Sequence, residues 1–119
     1  MKAVLSRASA EKMEIIDISE PIDLCQLGQM INANYVEIVR GTRLPDEYVM
    51  VVDEEGKLKE NVINKPCSWL YWADKHGDPI VGDAIILKEG FGLHGPELAG
   101  LTEEDAAVLM MLYGGGVRS

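Results

Sequence analysis

Cysteine, aromatic residues and positive charge are all scarce in this 119-residue chain. Its two cysteines, Cys25 and Cys67, are too few for the disulfide framework of a small secreted domain. Phenylalanine occurs once and aromatics make up 6% of the chain, so most large core fillers must be aliphatic. Lys and Arg number 11 against 20 Asp and Glu, a net charge of −9. That balance excludes a nucleic-acid binder, which needs Lys and Arg clusters for its phosphate contacts. It equally excludes adhesion to an anionic membrane surface. Long apolar runs are missing too. The opening run Met1-Lys2-Ala3-Val4-Leu5 meets charge again at Arg7. A signal peptide needs about 7–15 apolar residues and a membrane span about 20. The expected setting is a soluble protein in a reducing cytoplasm.

The remaining composition is that of a globular protein, 47% apolar and 26% charged, at a length that fits one domain with a real core. Met1–Ser6 reads as a first strand. Lys12–Ser19 alternates apolar Met13, Ile15 and Ile18 with polar Glu14 and Asp17, the pattern of a half-buried strand, so the two are expected to form a hairpin. Ser19-Glu20-Pro21 offers a helix start, with a capping Ser and Pro in the first turn. Leu24, Leu27 and Ile31 continue at helical spacing until Asn32-Ala33-Asn34. Tyr35–Val39 and Tyr48–Val52 are strands rich in β-branched residues. Between them Gly41–Pro45 is a loop. Asp53-Glu54-Glu55-Gly56 reads as a turn whose Gly suits a left-handed position, with Lys57–Lys59 returning as the hairpin partner.

Pro66 permits a short helix over Cys67–Lys75, ended by the turn His76–Pro79. Ile80–Leu87 is an apolar strand interrupted at Gly82-Asp83. Thr102 followed by Glu103, Glu104 and Asp105 is an N-cap with acids in the first turn, starting an apolar helix over Ala106–Tyr113 that Gly114-Gly115-Gly116 stops. One helical stripe, Val108, Leu109 and Leu112, is expected to pack on the sheet. The sum is an α+β fold: a mixed, largely antiparallel sheet of about six strands with about three helices. It forms a single domain over residues 1–113 followed by a Gly-rich tail, 114–119.

Catalytic motifs fail on inspection. Gly90-Phe91-Gly92-Leu93-His94-Gly95 spells the glycine fingerprint of dinucleotide-binding folds, yet that fingerprint needs a helix starting inside it, and Pro96 and Gly100 break the following segment. A flexible loop between the last strand and the last helix is the better reading. Cys67 and His76 lie nine positions apart with no identifiable third group for nucleophilic catalysis. Cys25, Cys67, His76 and His94 lack paired zinc-ligand spacing. Asp53, Glu54 and Glu55 read as a solvated turn rather than an acid–base pair. No enzyme activity, no cofactor and no metal is expected.

The candidate binding residues are Arg40, Arg43, Asn64, Lys65, Trp69, Trp72 and His76. Trp69 and Trp72 are three apart and His76 four further, so a helix puts all three on one face. Asn64 and Lys65 lie at the start of that helix, where free N–H groups favour anions. Two indoles beside such an edge suit a base and its phosphate. The alternative places both Trp in the core, where large fillers are few. Arg40 and Arg43 are the other anion-capable pair, or they pair with Asp46 and Glu47 in their own loop.

Several phrases carry a resemblance when taken in order: Met1-Lys2-Ala3-Val4-Leu5, Tyr35-Val36-Glu37-Ile38-Val39, Val51-Val52-Asp53-Glu54-Glu55-Gly56-Lys57-Leu58, Asn64-Lys65-Pro66-Cys67-Ser68, Asp78-Pro79-Ile80-Val81-Gly82-Asp83-Ala84-Ile85-Ile86 and Leu101-Thr102-Glu103-Glu104-Asp105. Together they resemble a family of small domains of unknown function carried by bacteriophages, plasmids and their bacterial hosts. The resemblance implies a setting, an accessory gene of a mobile element working in the cytoplasm of a bacterial cell, and brings no activity with it.

Two functions from different classes follow. The first is a non-catalytic binding protein that counteracts host defence by sequestering a nucleotide-type immune signal, a small phosphorylated ligand enclosed between copies of a homo-oligomer. The second is an acidic protein–protein blocker, or nucleic-acid mimic, that inhibits a basic host protein. Residues 89–117 hold Glu89, Glu97, Glu103, Glu104 and Asp105 and no Lys or Arg, which supports the second.

Overall fold

The computed structural model describes residues 1–9, 12–41, 43–59, 62–71, 79–92 and 95–113. Its organising element is a long strand. The apolar run that begins at Ala84 continues past Leu87 to Gly92 as β5, while β4 (Tyr48–Asp53) lies along one of its edges and pairs Val51 with Ile85 and Tyr48 with Lys88. Two shorter strands share the other edge. β1 (Lys2–Arg7) takes the first part of β5, pairing Val4 with Ile86, and β6 (Gly95–Ala99) takes the rest, pairing Lys88 with Ala99. β2 (Lys12–Asp17) closes the sheet beyond β1 and β3 (Val36–Val39) beyond β4. The main order is β2-β1-β5-β4-β3, with every pairing antiparallel.

Strand side chains alternate between faces, so a sheet with both faces covered must be apolar at consecutive positions. Every residue of Tyr48–Asp53 is buried accordingly. Ala3, Leu5, Val49, Val51, Ile85 and Leu87 form one face, covered by Leu27 of α1 (Leu24–Met30) and by Ile31. Val4, Met50, Val52, Ala84 and Ile86 form the other, covered by α2 (Lys65–Tyr71) through Cys67 and Leu70 and by α3 (Glu103–Tyr113) through Ala106 and Leu109. The architecture is helix, sheet, helix: an α+β fold with six strands and three α-helices among the described residues.

Several elements form where the local chemistry points. The alternating Lys12–Asp17 pairs with β1 as a hairpin, from Lys2 opposite Asp17 to Arg7 opposite Lys12. α3 begins with a reciprocal cap: Asp105 N donates to Thr102 Oγ1 at 3.0 Å and Thr102 N donates to Asp105 Oδ2 at 3.2 Å. Asn32, at φ 57°, ends α1 in the left-handed conformation that Asn tolerates.

Other expectations are corrected. α1 starts at Leu24 rather than near Ser19, because Asp23 is its cap and accepts from Cys25 N at 2.9 Å. Lys57–Lys59 is no hairpin partner; Gly56–Leu58 is a turn of 3₁₀ helix. Gly56 is required there by close approach, since a Cβ would lie 2.7 Å from Val81 O. The sixth strand comes instead from the Gly90–Gly100 segment, read as a loop and found to be the β5–β6 hairpin. α2 starts at Lys65, with Pro66 inside its first turn. On α3 the inward stripe is Ala106, Leu109, Met110 and Tyr113, whereas Val108 and Leu112 point outward at 42% and 60% exposure. The rest of the helix predicted to Lys75, and the tail 114–119, lie outside the described residues.

Candidate functional site

Gly41 and Arg43, in the loop after β3, pack against the end of α2, and this brings the candidate residues together or parts them. Gly41 permits the approach, because a Cβ there would stand 2.8 Å from Leu70 O. Arg43 N then donates to Leu70 O at 2.9 Å, and Arg43 Nη1 donates to Trp69 O at 2.7 Å. Its guanidinium carbon lies 4.7 Å from the centre of the Trp69 ring, a cation–π contact. Tyr113, the last residue of α3, completes the group. Its ring centre is 6.4 Å from that of Trp69 at a tilt of 51°, and its hydroxyl donates to Arg43 O at 3.3 Å. Trp69 is nevertheless 50% exposed. The result is an indole held by a cation and a second ring, with half its surface open.

The other candidates separate. Arg40 forms an ion pair with Glu89 of β5 and donates to Asp46 O at 3.3 Å, so its charge is matched within the sheet. Asn64 is completely buried and serves the fold. Its Oδ1 accepts from Cys67 N at 3.0 Å and from Ser6 Oγ at 3.2 Å, and its Nδ2 donates to Ser6 O at 3.2 Å and Gly82 O at 3.1 Å. The N–H expected to favour an anion at the start of α2 is thus taken by the cap itself. Lys65 is exposed at the first position of α2. Trp72 and His76 lie outside the described residues.

The groups weighed for catalysis have structural surroundings. Burial pushes the Cys67 thiol up to about 12, well above what a nucleophile needs near neutrality. Cys25 sits on α1 across the sheet from Cys67 on α2, so the two cannot share an ion. Asp53 is not a wet turn residue: it is buried, accepts from Glu55 N at 2.9 Å and pairs with Lys59 Nζ at 2.8 Å. Lys59 Nζ also donates to Asn32 O at 3.0 Å, which ties the end of β4 to the end of α1. A hollow of about 410 Å³ opens beside α1, lined by Ile18, Ile22, Leu27, Met30, Gln26 and Gln29 among others. Its described lining residues include Asp17, which is paired with Lys2, and Asp23, and none of them is Lys or Arg, which does not suit a phosphorylated ligand.

Tyr113 is the residue that sequence reasoning missed. It stands four positions after Leu109, and this spacing was a usable sign that it shares the inward stripe. No helix among the described residues is long and apolar enough to cross a membrane. The architecture defines an α+β domain whose antiparallel sheet is clad on both faces by helices. The chain belongs to the family described as Domain of unknown function (DUF3846), whose model matches residues 1–114. No curated protein and no solved structure matches it.

Proposed function

We propose that this protein is a non-catalytic binding module that engages a protein partner through the face around Trp69. One observation carries the reading: a half-exposed indole fixed in place by Arg43 and Tyr113. Trp, Tyr and Arg are the residue types that dominate binding energy at protein interfaces. A ring already held by its neighbours loses little freedom on docking, so more of its contact energy appears as affinity. In the mobile-element setting that the sequence resemblance implies, such a module acts as an accessory protein that occupies and blocks a host component.

Capture of a small phosphorylated or nucleotide-type ligand is the second reading. The observation favouring it is the guanidinium of Arg43 beside an open indole. Two features weigh against it: Arg43 covers one face on which a base would stack, and the Asn64 amide is fully engaged inside the fold.

The test uses purified wild type, Trp69→Ala and Arg43→Ala as baits in lysate of the bacterial host, with bound proteins quantified by mass spectrometry. The expected result is a partner retained by wild type and lost from both variants while their melting temperatures stay near that of wild type. Equal retention by all three overturns the reading. Calorimetric binding of cyclic or ADP-ribose-type nucleotides by wild type, lost in Arg43→Ala, transfers the case to the second reading.

A further inference from the structure

From the outer face of α3, we infer that the module docks a basic amphipathic helix of its partner. This rests on the reading of a protein partner and names its chemistry. Residues 106–113 are apolar without interruption, Ala-Ala-Val-Leu-Met-Met-Leu-Tyr. A helix apolar on all sides normally lies buried on all sides. Here Ala106, Leu109, Met110 and Tyr113 are turned to the sheet, and Ala107, Val108, Met111 and Leu112 are left outside. Met111 is 81% exposed and Leu112 is 60% exposed. At 100° per residue, Ala107, Val108, Met111 and Leu112 fall within one third or so of the circumference, with Glu104 on the same stripe. Tyr113, on the inward stripe, packs beside Trp69, so the outer face of α3 is a separate surface from the Trp69 cluster on the same side of the sheet.

Charge identifies the occupant. Both Glu103 and Glu104 are exposed in the first turn of α3, and its last turn carries no basic residue. Between residues 89 and 113 there are five acids and no Lys or Arg, and two of the five, Glu89 and Asp105, are ion-paired with Arg40 and Lys88. The neighbouring Lys88 is taken by Asp105 at 3.0 Å. A second copy of the chain is disfavoured. Each copy carries −9, and parallel packing of two α3 helices sets acids against acids. Antiparallel packing sets those acids against the negative end of the partner helix. A helix with apolar residues at positions i, i+3, i+4 and i+7 and Lys or Arg beside them satisfies both the apolar stripe and the acidic end. Methionine at the centre of the stripe adapts to such a surface because its chain is unbranched and polarizable.

The test is a titration of the full chain with a Leu/Lys peptide of helical period, with a Leu/Glu peptide of the same period as control. Tryptophan fluorescence and calorimetry give affinity and stoichiometry for wild type, Met111→Lys and Glu104→Lys, with analytical ultracentrifugation of each. Expected is one-to-one binding of the Leu/Lys peptide alone, weakened at least tenfold in both variants at unchanged melting temperature. No binding by wild type, or equal binding by Met111→Lys, overturns the inference. So does a wild-type dimer that Met111→Lys dissociates, which assigns the face to a second copy. Host-partner capture that Trp69→Ala abolishes and Met111→Lys leaves intact overturns this inference alone, whereas capture unaffected by Trp69→Ala overturns the reading beneath it.

Discussion

Replacing Asn64 with Ala separates a structural amide from a ligand-binding one. The side chain joins three segments: the end of β1 at Ser6, the first turn of α2 at Cys67, and the chain entering β5 at Gly82. Losing an N-cap of this kind costs about 1 kcal/mol. The substitution also strips the Nδ2 partner from Ser6 O and Gly82 O, and a buried polar group left unpaired costs about 1–3 kcal/mol. These groups share one network, so their costs do not simply add. The expected loss is about 2–5 kcal/mol, a large share of the roughly 5–15 kcal/mol that holds a typical domain folded. Asn64→Asp sharpens the test, since its carboxylate keeps the cap acceptor but turns an acceptor toward the carbonyls of Ser6 and Gly82. It should cost at least as much as Asn64→Ala. Urea unfolding followed by far-UV circular dichroism measures both, with an unchanged slope showing that midpoint shifts report stability. A loss below about 1 kcal/mol in Asn64→Ala would refute the structural role.

Three further predictions come from neighbouring features. Leu109→Ala, in the core under α3, is expected to cost about 2–5 kcal/mol, while the outward Leu112→Ala stays within about 0.5 kcal/mol; equal costs in urea unfolding would mean that the helix is turned differently. Burial alone would lift the Asp105 carboxyl, but hydrogen bonds from Lys88 and Thr102 outweigh it and hold the group below its ordinary 3.8. Its stabilising contribution is therefore complete above the unfolded carboxylate value of about 3.9 and disappears as pH falls through the lower folded value. Asp105→Asn should flatten the acid limb of the stability–pH curve below about pH 4, and an unchanged limb contradicts the pairing. In thiol labelling near pH 8, Cys25 should react in the native protein and Cys67 only on unfolding, because Cys67 is buried with its thiol pushed up to about 12; two thiols of equal rate argue against the buried position.

What was legible in the chain was whatever local chemistry decides. The alternation from Met13 to Asp17 marks one strand of a hairpin, and Thr102 with Asp105 spells a cap that forms as written. Features set by distant partners were not legible. Asn64 looks like an amide at a helix start, and only Ser6, 58 positions away, shows that it faces inward. The glycines at 90, 92 and 95 favour a loop by propensity, yet pairing along β5 makes them a hairpin. From Ala106 to Tyr113 α3 is apolar all round, so periodicity there carries no information about which side meets the sheet. Val108 and Leu112 therefore face outward against the expected stripe, and Tyr113 turns inward. For the site, the anion-capable set dissolved once Arg40 met Glu89 and Asn64 met Ser6. Arg43 and Trp69, 26 positions apart, came together through a loop packing on α2.

The most direct test of the binding face is photocrosslinking in bacterial cells, with a benzophenone side chain placed at Met111 on α3 and, separately, at Met30 on α1. Both positions are exposed and they lie on opposite sides of the sheet. Expected is a discrete adduct with a partner protein from position 111 and none from position 30. No adduct from position 111, or the same adduct from both, would contradict that placement of the binding face.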